Sequence, residues 1–237
     1  RAEGALYSRV MKVLGHRGAR HEAPENTLRG IEVALRAGAD GVEVDVHLTR
    51  DGQVVVIHDD TVDRTCKGAS GRVADLTLEE LQRLDAGGGE RVPTLAQVLE
   101  AVRGRAQAFV ELKAPGCEEA VLRVIATLGM EADCLLKAFD HRQVARAKAL
   151  APAVRTGCLL VGRPVDPVAI VRAAGADLLS INVQFVDADL VAACHADGLQ
   201  VCAWNCNVPG EVARLRAMGL DWLGTDAPTT IAPAARS

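Results

Sequence analysis

In the second half of the chain, apolar and polar positions recur in one order: a helical period, a glycine, then a short apolar run. AAGADLLSIN, ADGLQVCAWN and AMGLDWLGTD pass from helix to strand through Gly175, Gly198 and Gly219, and RAGADGVEVD does so near the start through Gly38. Glycine closes a helix in the left-handed conformation without a Cβ penalty. Helix, glycine, strand, repeated, is the pattern of βα units laid around a parallel sheet. Short apolar runs predict eight strands, at 12–15, 41–46, 108–112, 134–138, 155–160, 178–182, 200–204 and 222–225. Helical patterns fill 26–37, 94–103, 117–128, 141–150, 166–174, 187–196 and 209–218. Eight parallel strands in 237 residues predict an α/β protein with a closed (β/α)8 TIM-like barrel. The alternative, an open doubly wound sheet, normally carries a glycine-rich phosphate turn after its first strand, and GHRGAR does not match G-x-G-x-x-G.

Residues 53–58 form an extra strand. Too few residues separate it from the second strand for a helical crossover, so the pair must be antiparallel. Asp51-Gly52 signals a two-residue hairpin loop. With those two residues as the loop, His58 falls opposite Asp45. Residues 59–93 then read as a short insertion at the barrel mouth, within a single barrel domain over 1–237. The insertion contains a Gly- and Arg-rich loop, a helix opened by a Thr77-x-x-Glu80 capping box, and the mobile-looking surface stretch DAGGGERVP.

Composition narrows the picture. Apolar residues make up 49% of the chain and aromatic ones only 3%, so the core must be mostly Ala, Val and Leu. A net charge of −4 and the lack of any Lys/Arg run leave no electrostatic footprint for nucleic acid. No apolar run reaches spanning length, so no integral membrane contact is expected. Seven cysteines without a CxxC pair read as buried, reduced thiols, which favours a cytoplasmic location. The chain begins at Arg1, and removal of a signal peptide upstream of it stays compatible with this reading. Association of copies into a homo-oligomer is also compatible.

The chemistry gathers where parallel barrels carry their active sites, at the C-terminal ends of the strands. Those ends read His16-Arg17, Glu43/Asp45, Glu111/Lys113, Lys137, Asn182, Trp204-Asn205 and Thr225-Asp226. Glu43 and Asp45 lie two apart on a strand and share a face, with Val42, Val44 and Val46 on the other; Glu111 and Lys113 repeat the device. Three converging carboxylates call for a hard divalent cation, Mg²⁺ or Ca²⁺, or else for a salt-bridge network with Arg17 and Lys113. A retaining glycosidase pair is another use of two neighbouring carboxylates. Arg17, Lys113 and two histidines suit an anion better than a sugar, and phosphate is the natural one. His16 and His58 are positioned as a general acid–base pair. His47, nearer the turn, reads as structural; His21, His141 and His195 read as loop or helix-surface residues. Pro24 and Asn26 read as a helix start.

The run from Gly15 to Thr65, together with FVELK (109–113), AWNCN (203–207) and GLDWLGTDAP (219–228), resembles the glycerophosphodiester phosphodiesterase family in its compact bacterial form. The resemblance implies a TIM-like barrel that hydrolyses small glycerophosphodiesters to glycerol 3-phosphate and an alcohol. It implies Glu43, Asp45 and Glu111 as ligands of one divalent cation, Mg²⁺ or Ca²⁺, and His16 and His58 as the acid–base pair. Arg17 and Lys113 become phosphate-binding cations, and Trp204 a wall of the substrate cleft. The chain departs from the family pattern at Cys66, where a second Thr is common, and at WNCN, where Asn205 and Cys206 bear on the shape of the glycerol pocket. A lysophospholipase D-like phosphodiesterase and a non-catalytic phosphodiester-binding barrel are the alternatives on the same fold.

Overall fold

Alternation along β2 (Gly41–Leu48) sorts the chain into an outer and an inner layer. Val42, Val44 and Val46 are fully buried in the main core, which they share with helix residues such as Ile31, Leu95 and Leu99. Glu43 and Asp45, between them, face the barrel axis. In this computed structural model, which describes residues 10–236, the same alternation runs around eight parallel strands. These are β1 (Lys12–Gly15), β2, β4 (Gln107–Leu112), β5 (Cys134–Ala138), β6 (Arg155–Leu160), β7 (Leu178–Asn182), β8 (Gln200–Trp204) and β9 (Trp222–Thr225). Pairing of β1 with both β2 and β9 closes the ring, so the predicted barrel is the fold.

The helices wrapping the ring are α1 (Leu28–Arg36), α3 (Leu95–Val102), α4 (Glu118–Leu128), α5 (His141–Leu150), α6 (Pro167–Ala173), α7 (Ala188–Ala196), α8 (Pro209–Ala217) and α9 (Pro228–Arg236), while α2 (Leu78–Gln82) lies in the 59–93 segment. The sequence pattern misses α9, whose Pro228 opening and internal Pro233 obscure a helical period. The Thr77–Glu80 capping box at α2 is present, and Thr94 and Gln97 form another at α3. Gly38, Gly175, Gly198 and Gly219 have φ of +81°, +62°, +76° and +81° as helices pass into strands, as their position in the sequence predicts. Among the described residues no helix is long and apolar enough to cross a membrane. All seven cysteines are free and buried.

The hairpin differs from its predicted register. Strand β3 (Val54–Val56) is antiparallel to β2, but Val46 pairs with Val56 and Leu48 with Val54. The loop therefore holds three residues, 50–52, closed by the Thr49 amide on the Gln53 carbonyl (3.0 Å), with Gly52 at φ +73°. Gly52 takes the left-handed position of a three-residue hairpin loop, which replaces the expected two-residue turn. A one-residue shift exchanges the faces of a strand. Ile57, not His58, thus stands at Asp45, its amide donating to the Asp45 carbonyl at 3.0 Å. Val55 and Ile57 instead anchor a second small core with Val62, Cys66, Val73, Leu81, Ala86 and Val92, which holds residues 59–93 on the hairpin. DAGGGERVP is a closed turn there, with the Gly87 and Gly89 amides donating to Asp85 (2.8 and 2.9 Å).

Inside the ring, Leu14, Phe109, Leu135, Leu178, Cys202 and Trp222 form a buried apolar layer. Phe109 and Trp222 meet edge to face with ring centroids 4.7 Å apart. Two of the six aromatic residues sit here, where one ring fills the space of several aliphatic chains. This layer floors the polar mouth above it. Phe109→Ala is expected to lower unfolding free energy by about 3–5 kcal/mol, read as a lower urea midpoint; unchanged stability would show that the layer is not the floor.

Candidate active site

One oxygen from each of Glu43, Asp45 and Glu111 lies within 4.8 Å of the others, and all three side chains are buried. The ladder sets this spacing: Asp45 pairs with Glu111 across β2 and β4, and Glu111 with Lys137 across β4 and β5. Three cations offset the acids. Lys137 Nζ is 3.2 Å from Glu43, Lys113 Nζ is 2.6 Å from Glu111 and 3.4 Å from Asp45, and Arg17 Nε is 3.4 Å from Asp45. Burial opposes ionisation of Glu43, but Lys137, His16 and Arg17 hold its carboxyl at about 2. Glu111 goes the other way: burial raises it, Asp45 and Glu43 add to the rise, and the two lysines offset them only in part. Burial works against charge on Lys113 and Lys137, yet the carboxylates raise both.

This arrangement fits a divalent cation. Glu43 Oε1, Asp45 Oδ1 and Glu111 Oε1 are buried and have ammonium groups nearby as ion-pair neighbours, but none accepts a well-aligned hydrogen bond. Convergent carboxylate oxygens are the ligands hard cations take, and the cluster could hold such an ion.

Two loop residues with unusual backbone angles brace the acids. Arg17 has φ +50° and Asn26 φ +57°, a region non-glycine residues seldom occupy. The Arg17 amide donates to Glu43 Oε2 at 3.0 Å. Asn26 Nδ2 donates to Asp45 Oδ2 at 2.9 Å, and the Asp45 amide returns a bond to Asn26 Oδ1 at 3.3 Å. Asn26 is therefore more than a helix start: Thr27 caps α1, and Asn26 turns inward to orient Asp45. A polar residue immediately before a Thr cap was the available signal, but the cap accounts for it locally without any site.

His16 and His58 flank the acids, and an aspartate holds each by the same nitrogen. His16 Nδ1 lies 2.6 Å from Asp226 Oδ1, and His58 Nδ1 lies 2.6 Å from Asp59 Oδ1. With Nδ1–H donating to a carboxylate, each ring keeps Nε2 for the cleft. His58 Nε2 is 3.1 Å from Lys113 Nζ, and His16 Nε2 is 3.9 Å from Glu43. His58 thus reaches the site although the register does not set it opposite Asp45, because the chain leaves the ladder after Ile57 and turns back over the mouth. Burial opposes ionisation of Asp226, but hydrogen bonds from His16 and Asn207 hold it at about 2. Asn207 grips it twice, donating from Nδ2 to Oδ2 (2.7 Å) and accepting its backbone amide at Oδ1 (2.8 Å). Asp226, 210 residues from His16, and Lys137 are polar strand ends to which spacing alone assigns no role. No sequence spacing links partners so far apart.

The remaining histidines are elsewhere. His47 Nε2 meets the His58 carbonyl at 3.1 Å, and burial lowers its pKa. His141 bonds the Leu159 carbonyl, His195 bonds Asp221, and His21 is exposed at the rim.

All eight sequence-predicted site residues except Asp45 line one cleft of about 300 Å³; Asp45 lies just beneath, against Arg17 and Lys113. Its polar side holds His16, Arg17, Glu43, His58, Glu111 and Lys113. Its opposite side is Phe139, Leu159 and Trp204, the two aromatic rings edge to face at 5.9 Å. The cleft can therefore take a small anion on one side and an uncharged group on the other.

Comparison with known proteins bears on this geometry. The model of the Glycerophosphoryl diester phosphodiesterase family matches residues 16–230. A glycerophosphodiester phosphodiesterase of Caldanaerobacter subterraneus subsp. tengcongensis is 35% identical over 232 residues, 92% of this chain and 95% of the relative. One of Bacillus altitudinis is 32% identical over 92% of this chain and 96% of its own. Among solved structures, an Oleispira antarctica phosphodiesterase in complex with the product sn-glycerol-3-phosphate superposes with a TM-score of 0.86 at 31% identity, covering 98% of this chain and 99% of that one. A glycerophosphodiester phosphodiesterase from Agrobacterium tumefaciens gives 0.85 at 30% identity over 94% and 99%. The barrel, its polar mouth and a family match over nearly all the described residues agree: the chain belongs to the glycerophosphodiester phosphodiesterase family and to its enzyme class, the phosphoric diester hydrolases.

Proposed function

We propose that this enzyme hydrolyses small glycerophosphodiesters to glycerol 3-phosphate and an alcohol, with Glu43, Asp45 and Glu111 holding one divalent cation, Mg²⁺ or Ca²⁺. The observation that carries the reading is the convergence, in one cleft, of a carboxylate triad and two histidines each held by an aspartate. The product named for the Oleispira antarctica relative supports the choice of product here.

In this mechanism Arg17 and Lys113 bind the phosphoryl oxygens and offset the charge that grows on them as the new P–O bond forms. Glu43, Asp45 and Glu111 would hold the divalent cation, which would supply Lewis-acid charge for the phosphoryl group and would lower the pKa of a hydroxyl nucleophile. One histidine takes the proton of the attacking hydroxyl at Nε2, and the other gives a proton from Nε2 to the departing alkoxide. Asp226 and Asp59 hold the two rings at Nδ1, so neither must reorient between turnovers. Trp204, Phe139 and Leu159 form the uncharged wall beside the reacting phosphate. The barrel is read as one domain, with 59–93 as an elaboration that carries His58's surroundings.

The acids and their three cations could also form a self-contained ion-pair network, and the lysine distances favour that reading enough to require a direct test. Titration calorimetry with Mg²⁺ and Ca²⁺ is expected to give one bound ion per chain, lost in Glu43→Gln, and EDTA is expected to stop glycerol 3-phosphate release from glycerophosphocholine. Full turnover in EDTA would remove the cation from the mechanism.

The histidines are separable by leaving group. His16→Ala and His58→Ala are each expected to cut kcat on glycerophosphocholine by about 10²–10⁴-fold. With a p-nitrophenyl phosphodiester, whose leaving group needs no proton, only the variant lacking the acid should recover. Recovery of neither or of both would refute the division of roles.

A further inference from the structure

Arg64 lies in the 59–93 segment and does not line the cleft. Its guanidinium nevertheless makes two complete forks. Nε and Nη2 donate to Asp59 (2.7 and 3.0 Å), and Nη1 and Nη2 donate to Glu25 (2.9 and 2.7 Å). Each of those acids has a second partner in the cleft. Asp59 Oδ1 meets His58 Nδ1 at 2.6 Å, and Glu25 Oε1 accepts from Arg17 Nη1 at 3.0 Å. The result is one unbroken chain, His58–Asp59–Arg64–Glu25–Arg17. It joins the end of the hairpin to the β1–α1 loop, where Arg17 sits at a positive φ.

We propose that Arg64 is a positioning residue which sets the distance between the acid–base His58 and the phosphate-binding Arg17. The proposal rests on the roles given to those two residues above. Exposed ion pairs are ordinarily worth little. This one is different in kind, because a planar guanidinium bonded bidentately on two edges fixes the relative orientation of two carboxylates as well as their charge. Arg64 itself is half exposed, but Glu25 and Asp59 are mostly covered, with side-chain exposures of 13% and 25%. Both acids are held ionised: Arg64 and His58 depress Asp59, and Arg64 with Arg17 holds Glu25 at about 2 against its burial. An ionised Asp59 fixes the Nδ1–H tautomer of His58. An ionised Glu25 keeps the Arg17 guanidinium turned along the cleft wall. Without Arg64 each carboxylate keeps only its cleft partner, and two like charges are left facing each other across the gap it filled.

The two arms separate in kinetics. Asp59→Asn should act mainly on kcat and Glu25→Gln mainly on KM. Arg64→Ala should do both, lowering kcat/KM by about 10–100-fold, the scale of loss seen when outer partners that orient metal ligands are removed. Arg64→Lys should recover little, since a single ammonium cannot make two forks. The double variant Arg64→Ala/Asp59→Asn should lose less than the product of the single losses, because both break one chain. Nitrogen NMR of the ligand-free protein, with His58 assigned by comparison with His58→Gln, should show a fixed Nδ1–H tautomer that becomes mixed in Arg64→Ala. This readout needs no turnover, so it reports on the clamp even if His58 or Arg17 proves dispensable to catalysis. A merely structural ion pair would lower the melting temperature while leaving kcat and KM of the folded protein within twofold, as expected of the exposed Arg146–Glu119 pair in Arg146→Ala. That result in Arg64→Lys, or an unchanged His58 tautomer in either Arg64 variant, would overturn the proposal.

Discussion

Three carboxylates buried within 4.8 Å of one another are the constraint around which the open end of this barrel is organised. Removing such charges from water is costly, and each must find compensation close by. Lys137 and Lys113 rise from neighbouring strand positions to provide part of it, and Arg17 arrives from the β1–α1 loop in a strained backbone conformation. Compensation is uneven. Glu43 is held well down by Lys137, His16 and Arg17, while Glu111 is pushed up, first by its burial and then by its two carboxylate neighbours. A substrate phosphate alone would worsen the balance. Held together with a divalent cation, which the carboxylate cluster could bind, it need not.

The same mouth shows how a rigid scaffold divides its work. The apolar layer of Leu14, Phe109, Leu135, Leu178, Cys202 and Trp222 closes the ring below the acids and keeps water from reaching them through the barrel. Above it, the two histidines are braced from opposite directions: His16 by Asp226 at the last barrel strand, His58 by Asp59 next to it in the chain. The first brace is part of the ring. The second belongs to the hairpin and its small core, and Arg64 ties that unit back to the loop carrying Arg17. Residues 59–93 are therefore tied to the site as well as to the hairpin.

Much of this was legible along the chain. Period-two alternation in VEVDV and FVELK is a property of the strand backbone, so the shared face of Glu43, Asp45, Glu111 and Lys113 follows without knowledge of the partners. The helix-closing glycines follow in the same way from local sterics. The hairpin was legible as a hairpin but not in its register. Asp51-Gly52 serves a two-residue loop or a three-residue loop with Gly52 in the left-handed position, and only packing of Val55 and Ile57 against the insertion chooses between them. Asn26 and Lys137 were visible as residues, but local roles, a helix start and a strand end, accounted for them.

The amino-acid sequence by itself determined the barrel and the face on which the acids stand, because each depends on periods of two to four residues. Tertiary structure decided which groups compensate the acids, which aspartate holds which histidine, and that Arg64 links His58 to Arg17. Those pairings span 39 residues for Arg64 and Glu25 and 210 for His16 and Asp226. Closing the ring is what brings β1 beside β9 and β2 beside β4, and no pattern along one strand contains the distance to the next.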